Sequence, residues 1–69
     1  MNVGPRAYKM DKRYLSPKEL SAYIGIPLRT IYFWMSMRKI PFYKLGKNAR
    51  FDTVEIDKWM STQKIETYK

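Results

Sequence analysis

The chain has 69 residues, a net charge of +8, 16% aromatic residues and neither Cys nor His. Without thiols or imidazoles there is no disulfide framework, no zinc site of the usual kind and none of the common nucleophiles or general bases. Neither an enzyme, a metal nor a cofactor is therefore expected. One small domain is expected, with no apolar run of membrane-spanning length and no signal-peptide core, which fits a cytoplasmic protein of a bacterium or its phage.

Residues 1–13 carry no helical or strand period, and Gly4-Pro5 discourages regular structure. They read as a flexible basic arm, suited to phosphates or a minor groove, or else as a terminus without a role. Order is expected from Tyr14-Leu15. Ser16-Pro17-Lys18-Glu19 spells a capping box, in which the Ser hydroxyl accepts from the N–H of Glu19 and the Glu carboxylate from the N–H of Ser16. Pro17 at the first helical position loses no intrahelical bond. The helix is predicted to run to about Tyr23, with Leu20, Tyr23 and Ile24 on one stripe and Gly25 as its left-handed terminator.

Ile26-Pro27 predicts a turn and Leu28 to about Met37 a second helix, which together make helix-turn-helix spacing. Ile31, Trp34 and Met35 share a core-facing side, and Ser21 is small where the helices would cross. Pro41 stops the helix, because a proline disfavours helical geometry in the residue before it. Phe42–Leu45 and Ala49–Phe51 read as strands around Gly46-Lys47-Asn48, a hairpin turn. Asp52-Thr53-Val54-Glu55 reads as a second capping box, opening a last helix with Ile56, Trp59 and Met60 as its apolar stripe. The domain is thus expected over residues 14–63, with 64–69 a frayed tail. The predicted class is mainly α with a small β-hairpin, a winged helix-turn-helix.

Charge is concentrated on this framework. From Leu20 to Phe51 there is no acidic residue, while Arg29, Arg38, Lys39, Lys44, Lys47 and Arg50 are all cationic. The first nineteen residues carry a net +3 and the segment from Asp52 onward a net −1. A folded basic surface of this kind points to a polyanion, double-stranded DNA first.

The residues also resemble a known family. Leu15-Ser16-Pro17-Lys18-Glu19-Leu20, Gly25-Ile26, Arg29-Thr30-Ile31-Tyr32, Trp34, Lys39-Ile40-Pro41, Lys44-Leu45-Gly46, Arg50-Phe51-Asp52 and Trp59 follow in order the pattern of the excisionase-type, MerR-like helix-turn-helix proteins. The resemblance covers roughly residues 14 to 60. It implies a DNA-binding module of phage and transposon excisionases, which bend DNA near attachment sites, contact integrase and favour excision without being catalysts. Small transcription regulators and the N-terminal domains of some phage terminase small subunits are similar. With so little chain after Trp59, neither a dimerising coiled coil nor a recombinase domain is expected. Two positions depart from the family: Arg38 stands where Gly usually precedes Lys-Ile-Pro, and Phe33 stands where Arg or another polar residue is common.

The expected interface follows. Arg29, near the start of the second helix, suits guanine O6 and N7 or else a phosphate. Thr30 and Tyr32 carry hydroxyls suited to phosphate, a role that the resemblance supports. Phe33 suits a thymine methyl group, the hairpin or a neighbouring subunit. Lys44, Lys47, Asn48 and Arg50 make the wing, Arg50 having a carboxylate such as Glu19 as its alternative partner. Lys18, Arg38 and Lys39 are candidates for the DNA backbone. Trp34 and Trp59 are expected in the core. Integrase or further copies of the chain on DNA are the expected protein partners; for a packaging adaptor like a terminase small subunit, the partner surface would be the tail after Met60, with Ile65 and Tyr68.

Overall fold

Ser16 opens the first helix as its sequence requires. In the computed structural model, which describes residues 12–67, Ser16 is extended (φ −73°, ψ 168°). Its hydroxyl accepts from the Glu19 N–H at 3.1 Å, and the Glu19 carboxylate accepts from the Ser16 N–H at 2.9 Å. Both halves of the capping box are present, and α1 spans Pro17–Ile24. Gly25 ends it with φ 71°, the left-handed geometry in which glycine carries no Cβ penalty. Ser21 then fixes the turn: its hydroxyl donates to the Ile26 carbonyl at 2.6 Å, and its carbonyl accepts from the Gly25 and Ile26 N–H groups.

The second helix, α2, spans Leu28–Ser36. The Pro27 carbonyl accepts from the Thr30 and Ile31 N–H groups, but no side chain caps the helix start. At the other end the chain reverses through Arg38 at φ 57°. The Lys39 N–H reaches back to the Trp34 carbonyl at 2.9 Å, the long bond of a left-handed helix terminus. The helix is not extended through Arg38. A non-glycine residue occupies the position that favours glycine, at a cost of about 1 kcal/mol.

Three short strands form one antiparallel sheet: β1 (Tyr14–Leu15), β2 (Tyr43–Leu45) and β3 (Asn48–Asp52), in the order β1-β3-β2. A hairpin forms where expected, with φ 65° at Gly46, but its turn is Gly46-Lys47 alone: Asn48 belongs to β3, paired with Leu45, and Phe42 precedes β2. The third strand was not legible as a strand, since two residues carry no period. It pairs Tyr14 with Asp52 and Leu15 with Phe51. The last helix, α3, spans Thr53–Thr62.

The core is one cluster of Leu15, Leu20, Ile31, Ile40, Phe51 and Ile56. It draws on every helix and on both β1 and β3, and burying each such side chain stabilises the fold by about 1.5–3 kcal/mol. The tryptophans take a shallower place than expected. Trp34 and Trp59 are half-buried, tilted against each other at 5.8 Å between ring centroids. Both line an open apolar groove of about 620 Å³ between α2 and α3, with Ile24, Ile26 and Met60. Met60 is exposed rather than a full member of the α3 stripe.

The second capping box is half formed. Asp52 caps α3 by accepting from the Val54 N–H at 2.9 Å, whereas the Glu55 carboxylate accepts from the Tyr43 hydroxyl at 3.0 Å. Of the basic N-terminal stretch, residues 1–11 lie outside the described residues. Lys12 and Arg13 are bonded to the domain, Lys12 to Glu19 at 2.7 Å and Arg13 to Asp52. Residues 64–67 follow α3 without regular structure, and 68–69, with Tyr68, lie outside the described residues.

Candidate nucleic-acid interface

On α2 the helical spacing that buries Ile31 leaves a continuous outer stripe. Arg29, Phe33 and Met37 follow one another at intervals of four residues, the spacing that stacks side chains on one face. Tyr32 and Ser36 flank them, and all five are exposed. Phe33, Met37 and Tyr32 retain 57%, 55% and 52% of their surface exposure, large values for such side chains on α2 and its C-cap. Thr30 is half-buried beside them, and the Ser36 hydroxyl is turned back to the Phe33 carbonyl at 2.7 Å. Met37 was not among the residues singled out from sequence, although its spacing from Arg29 and Phe33 is the signal that would have found it.

The wing divides its residues between two faces. Directly opposed residues in an antiparallel pair share a face. Lys44 stands opposite Ala49, which is buried, so Lys44 lies on the helix-facing side. There it lines a cleft of about 310 Å³ with Met35, Ser36, Arg38 and Phe42. The structure thus brings Lys44 and Arg38 to the C-terminal end of α2. Lys47 is exposed at the hairpin tip. Asn48, opposite Leu45, and Arg50, opposite Tyr43, lie on the outer face of the sheet.

Arg50 does not brace the wing against Glu19. Its guanidinium donates to the Ala49 carbonyl at 2.7 Å, while Glu19 is held by Lys12 and by the Ser16 N–H. Lys39 is exposed at the rim of the Trp34–Trp59 groove, a different depression from the cleft that holds Arg38 and Lys44. Lys18 is exposed in the first turn of α1.

The acidic residues explain why these cations remain available. Glu19 binds Lys12, Asp52 binds Arg13, Glu66 lies 3.8 Å from Lys64, and Glu55 and Asp57 accept from the hydroxyls of Tyr43 and Tyr23. Among the described residues, no carboxylate is paired with Lys18, Arg29, Arg38, Lys39, Lys44, Lys47 or Arg50. The carboxyls of Asp52 and Glu19 sit below their ordinary range, Asp52 first through the Arg13 guanidinium and Glu19 first through the Lys12 ammonium. Both are therefore firmly ionised at neutral pH, yet their charge is spent at the edge of the domain. The stripe and the wing keep an uncompensated positive field, aimed from a helix whose start has no side-chain cap and no acid in its first turn.

Among the described residues there is no group of His, Cys, Asp and Glu that would hold a metal ion. No helix in them is long and apolar enough to cross a membrane. No curated protein and no solved structure matches the chain. A family model does: residues 14–64 match the helix-turn-helix domain, whose members bind DNA in a sequence-specific way. With three helices, the α1-turn-α2 unit and a small antiparallel wing in place, the chain belongs to the helix-turn-helix domain family.

Proposed function

We propose that the chain binds double-stranded DNA with α2 in the major groove and the β2–β3 wing on the adjacent backbone or minor groove, and that it acts as an excisionase. The observation that carries the DNA pose is the unpaired cationic set around α2 and the wing, together with the engagement of every described carboxylate elsewhere. Arg29 and its neighbours on the outer stripe face base edges. Arg38 and Lys44 flank the same end of α2 and meet phosphate. Lys47 extends from the hairpin tip to the next stretch of backbone, and Lys18 meets a phosphate beside α1. Arg50 and Asn48, on the outer sheet face, contact DNA only where the wing lies within a groove.

The excisionase role draws on the ordered motif set from Leu15 to Trp59. In this role several copies bind repeated sites, bend the attachment DNA and present a surface to integrase, so that recombination runs towards excision. The test is selection of bound fragments from the sheared source genome, followed by measurement of bending on the enriched site. Tandem sites beside an integrase gene, with bending, are the expected result. Enrichment at promoters would replace this role with that of a small transcription regulator, and co-purification with a terminase large subunit would replace it with a packaging adaptor.

A further inference from the structure

The outer stripe of α2 has an unusual chemical alphabet. Between Leu28 and Met37 there is no Asn, Gln, Asp, Glu, Lys or His. Adenine is commonly read by Asn or Gln and cytosine by Asp or Glu, so neither base has its usual reader on this helix. What the stripe does offer is one guanidinium, which suits guanine O6 and N7, and two large apolar side chains. Phe33 in α2 and Met37 at its C-cap are more than half exposed, while Ile31, Trp34 and Met35 pack against the core. Neither is needed by the core. In the major groove only thymine presents an apolar group, its 5-methyl.

Resting on the DNA-binding pose above, we infer that α2 reads guanine through Arg29 and thymine methyl groups through Phe33 and Met37. Cations identify the occupant of this apolar face as DNA rather than a second protein: Arg29 lies on the stripe, and Arg38 and Lys44 line the cleft at its end, with no described carboxylate paired to any of them. Spacing gives the reading a form. At 1.5 Å per residue, each interval of four residues advances about 6 Å along the helix, which is at most about two base-pair steps of 3.4 Å because a helix in the groove crosses the duplex axis. The recognised major-groove segment then holds a guanine and, within about two steps, a thymine on either strand, with a second thymine at a similar interval beyond it.

The test separates the methyl group from every other feature of the base. A randomised duplex library is selected with the full chain, and each thymine of the selected duplex is then replaced singly by deoxyuridine, which differs only in lacking the 5-methyl. Loss of about fourfold in affinity at one or two thymines near the Arg29-dependent guanine is expected, the equivalent of one buried methyl each. Phe33→Ala should erase the deoxyuridine effect at the nearer thymine and leave the guanine preference intact. Because Phe33 is exposed, its melting temperature should stay near that of the parent.

Deoxyuridine tolerated at every position, with the selected motif still bound, would overturn methyl reading and leave the DNA pose standing. Selection of no motif would overturn the pose and the inference together. A self-associating parent that Phe33→Ala makes monomeric, with no deoxyuridine effect, would make the stripe a contact between copies and overturn the inference.

Discussion

Arg13 and Asp52 are joined by two parallel hydrogen bonds, Nε to Oδ1 at 2.9 Å and Nη2 to Oδ2 at 3.0 Å, across 39 residues of sequence. The same carboxylate caps α3 through the Val54 N–H, and the Arg13 carbonyl accepts from the Thr53 N–H at 2.8 Å. The Arg13 guanidinium also lies 5.4 Å from the centroid of the Tyr14 ring. One fork of bonds therefore closes β1 onto β3 and fixes the start of α3. Asp52 is only 4% exposed, so removing its partner leaves a carboxylate poorly solvated.

Arg13→Ala should lower the melting temperature by several degrees, and Asp52→Ala should lower it further, because the second variant loses the helix cap as well. The double variant should be little worse than Asp52→Ala alone. Thermal melts of all four chains check this, and additive losses would show that the two residues act independently.

Acid should unfold the protein through the same carboxylates. Asp52 and Glu19 both titrate lower in the folded chain than in the unfolded one, so the unfolded chain binds more protons in between. Stability is then complete above the unfolded values near pH 4 and falls as pH drops through the folded ones. At the alkaline end the sign reverses. Tyr23 and Tyr43, bonded to Asp57 and Glu55, titrate above the ordinary tyrosine value near 10, and their contribution is lost as pH rises through the folded values. With no His in the chain, melting temperature should be flat between about pH 5 and pH 9. Asp52→Asn should weaken the acid-side fall.

Arg38 offers a test in which stability and binding move in opposite directions. Arg38→Gly relieves the left-handed strain at φ 57° and should stabilise the fold by about 0.5–1 kcal/mol, raising the melting temperature by roughly 2–8 °C. It also removes a cation from the cleft shared with Lys44. DNA affinity should fall, and the slope of log K against log salt should flatten by about 1. A variant that is more stable but binds as before would take Arg38 out of the interface.

Phe51→Ala supplies the core control. Its ring is fully buried and packs against Phe42 at 6.2 Å between centroids. The expected loss is about 3–5 kcal/mol by denaturant unfolding, enough to unfold much of a domain this small.

Local chemistry made much of the fold readable. Ser16 and Glu19 stand three residues apart, Gly25 follows the last apolar residue of α1, and Gly46 sits between two short apolar runs. Each such signal is satisfied within a few residues, so the sequence window contains both partners. The contacts that were missed join distant segments. Pairing of Tyr14-Leu15 with β3 and the Arg13–Asp52 fork have no local signature. Glu55 has the spacing of a capping residue, yet the Tyr43 hydroxyl from the neighbouring hairpin takes its carboxylate. The candidate interface was readable as a charged block and a helix face. The division of Lys44 from Arg50 across the wing needed the register, and the separation of Lys39 from Arg38 needed the left-handed turn between them.

In the proposed complex α2 reads base sequence through Arg29, while Lys47 adds affinity without choice. Titration of the parent, Arg29→Ala and Lys47→Ala against the selected duplex and a scrambled one, over a range of salt, tests it most directly. Arg29→Ala should lose about 1–3 kcal/mol on the selected duplex and little on the scrambled one, whereas Lys47→Ala should weaken both equally and reduce the salt slope by about 1. Equal weakening by Arg29→Ala on both duplexes, or a parent that does not distinguish them, would show that α2 does not read base sequence through Arg29.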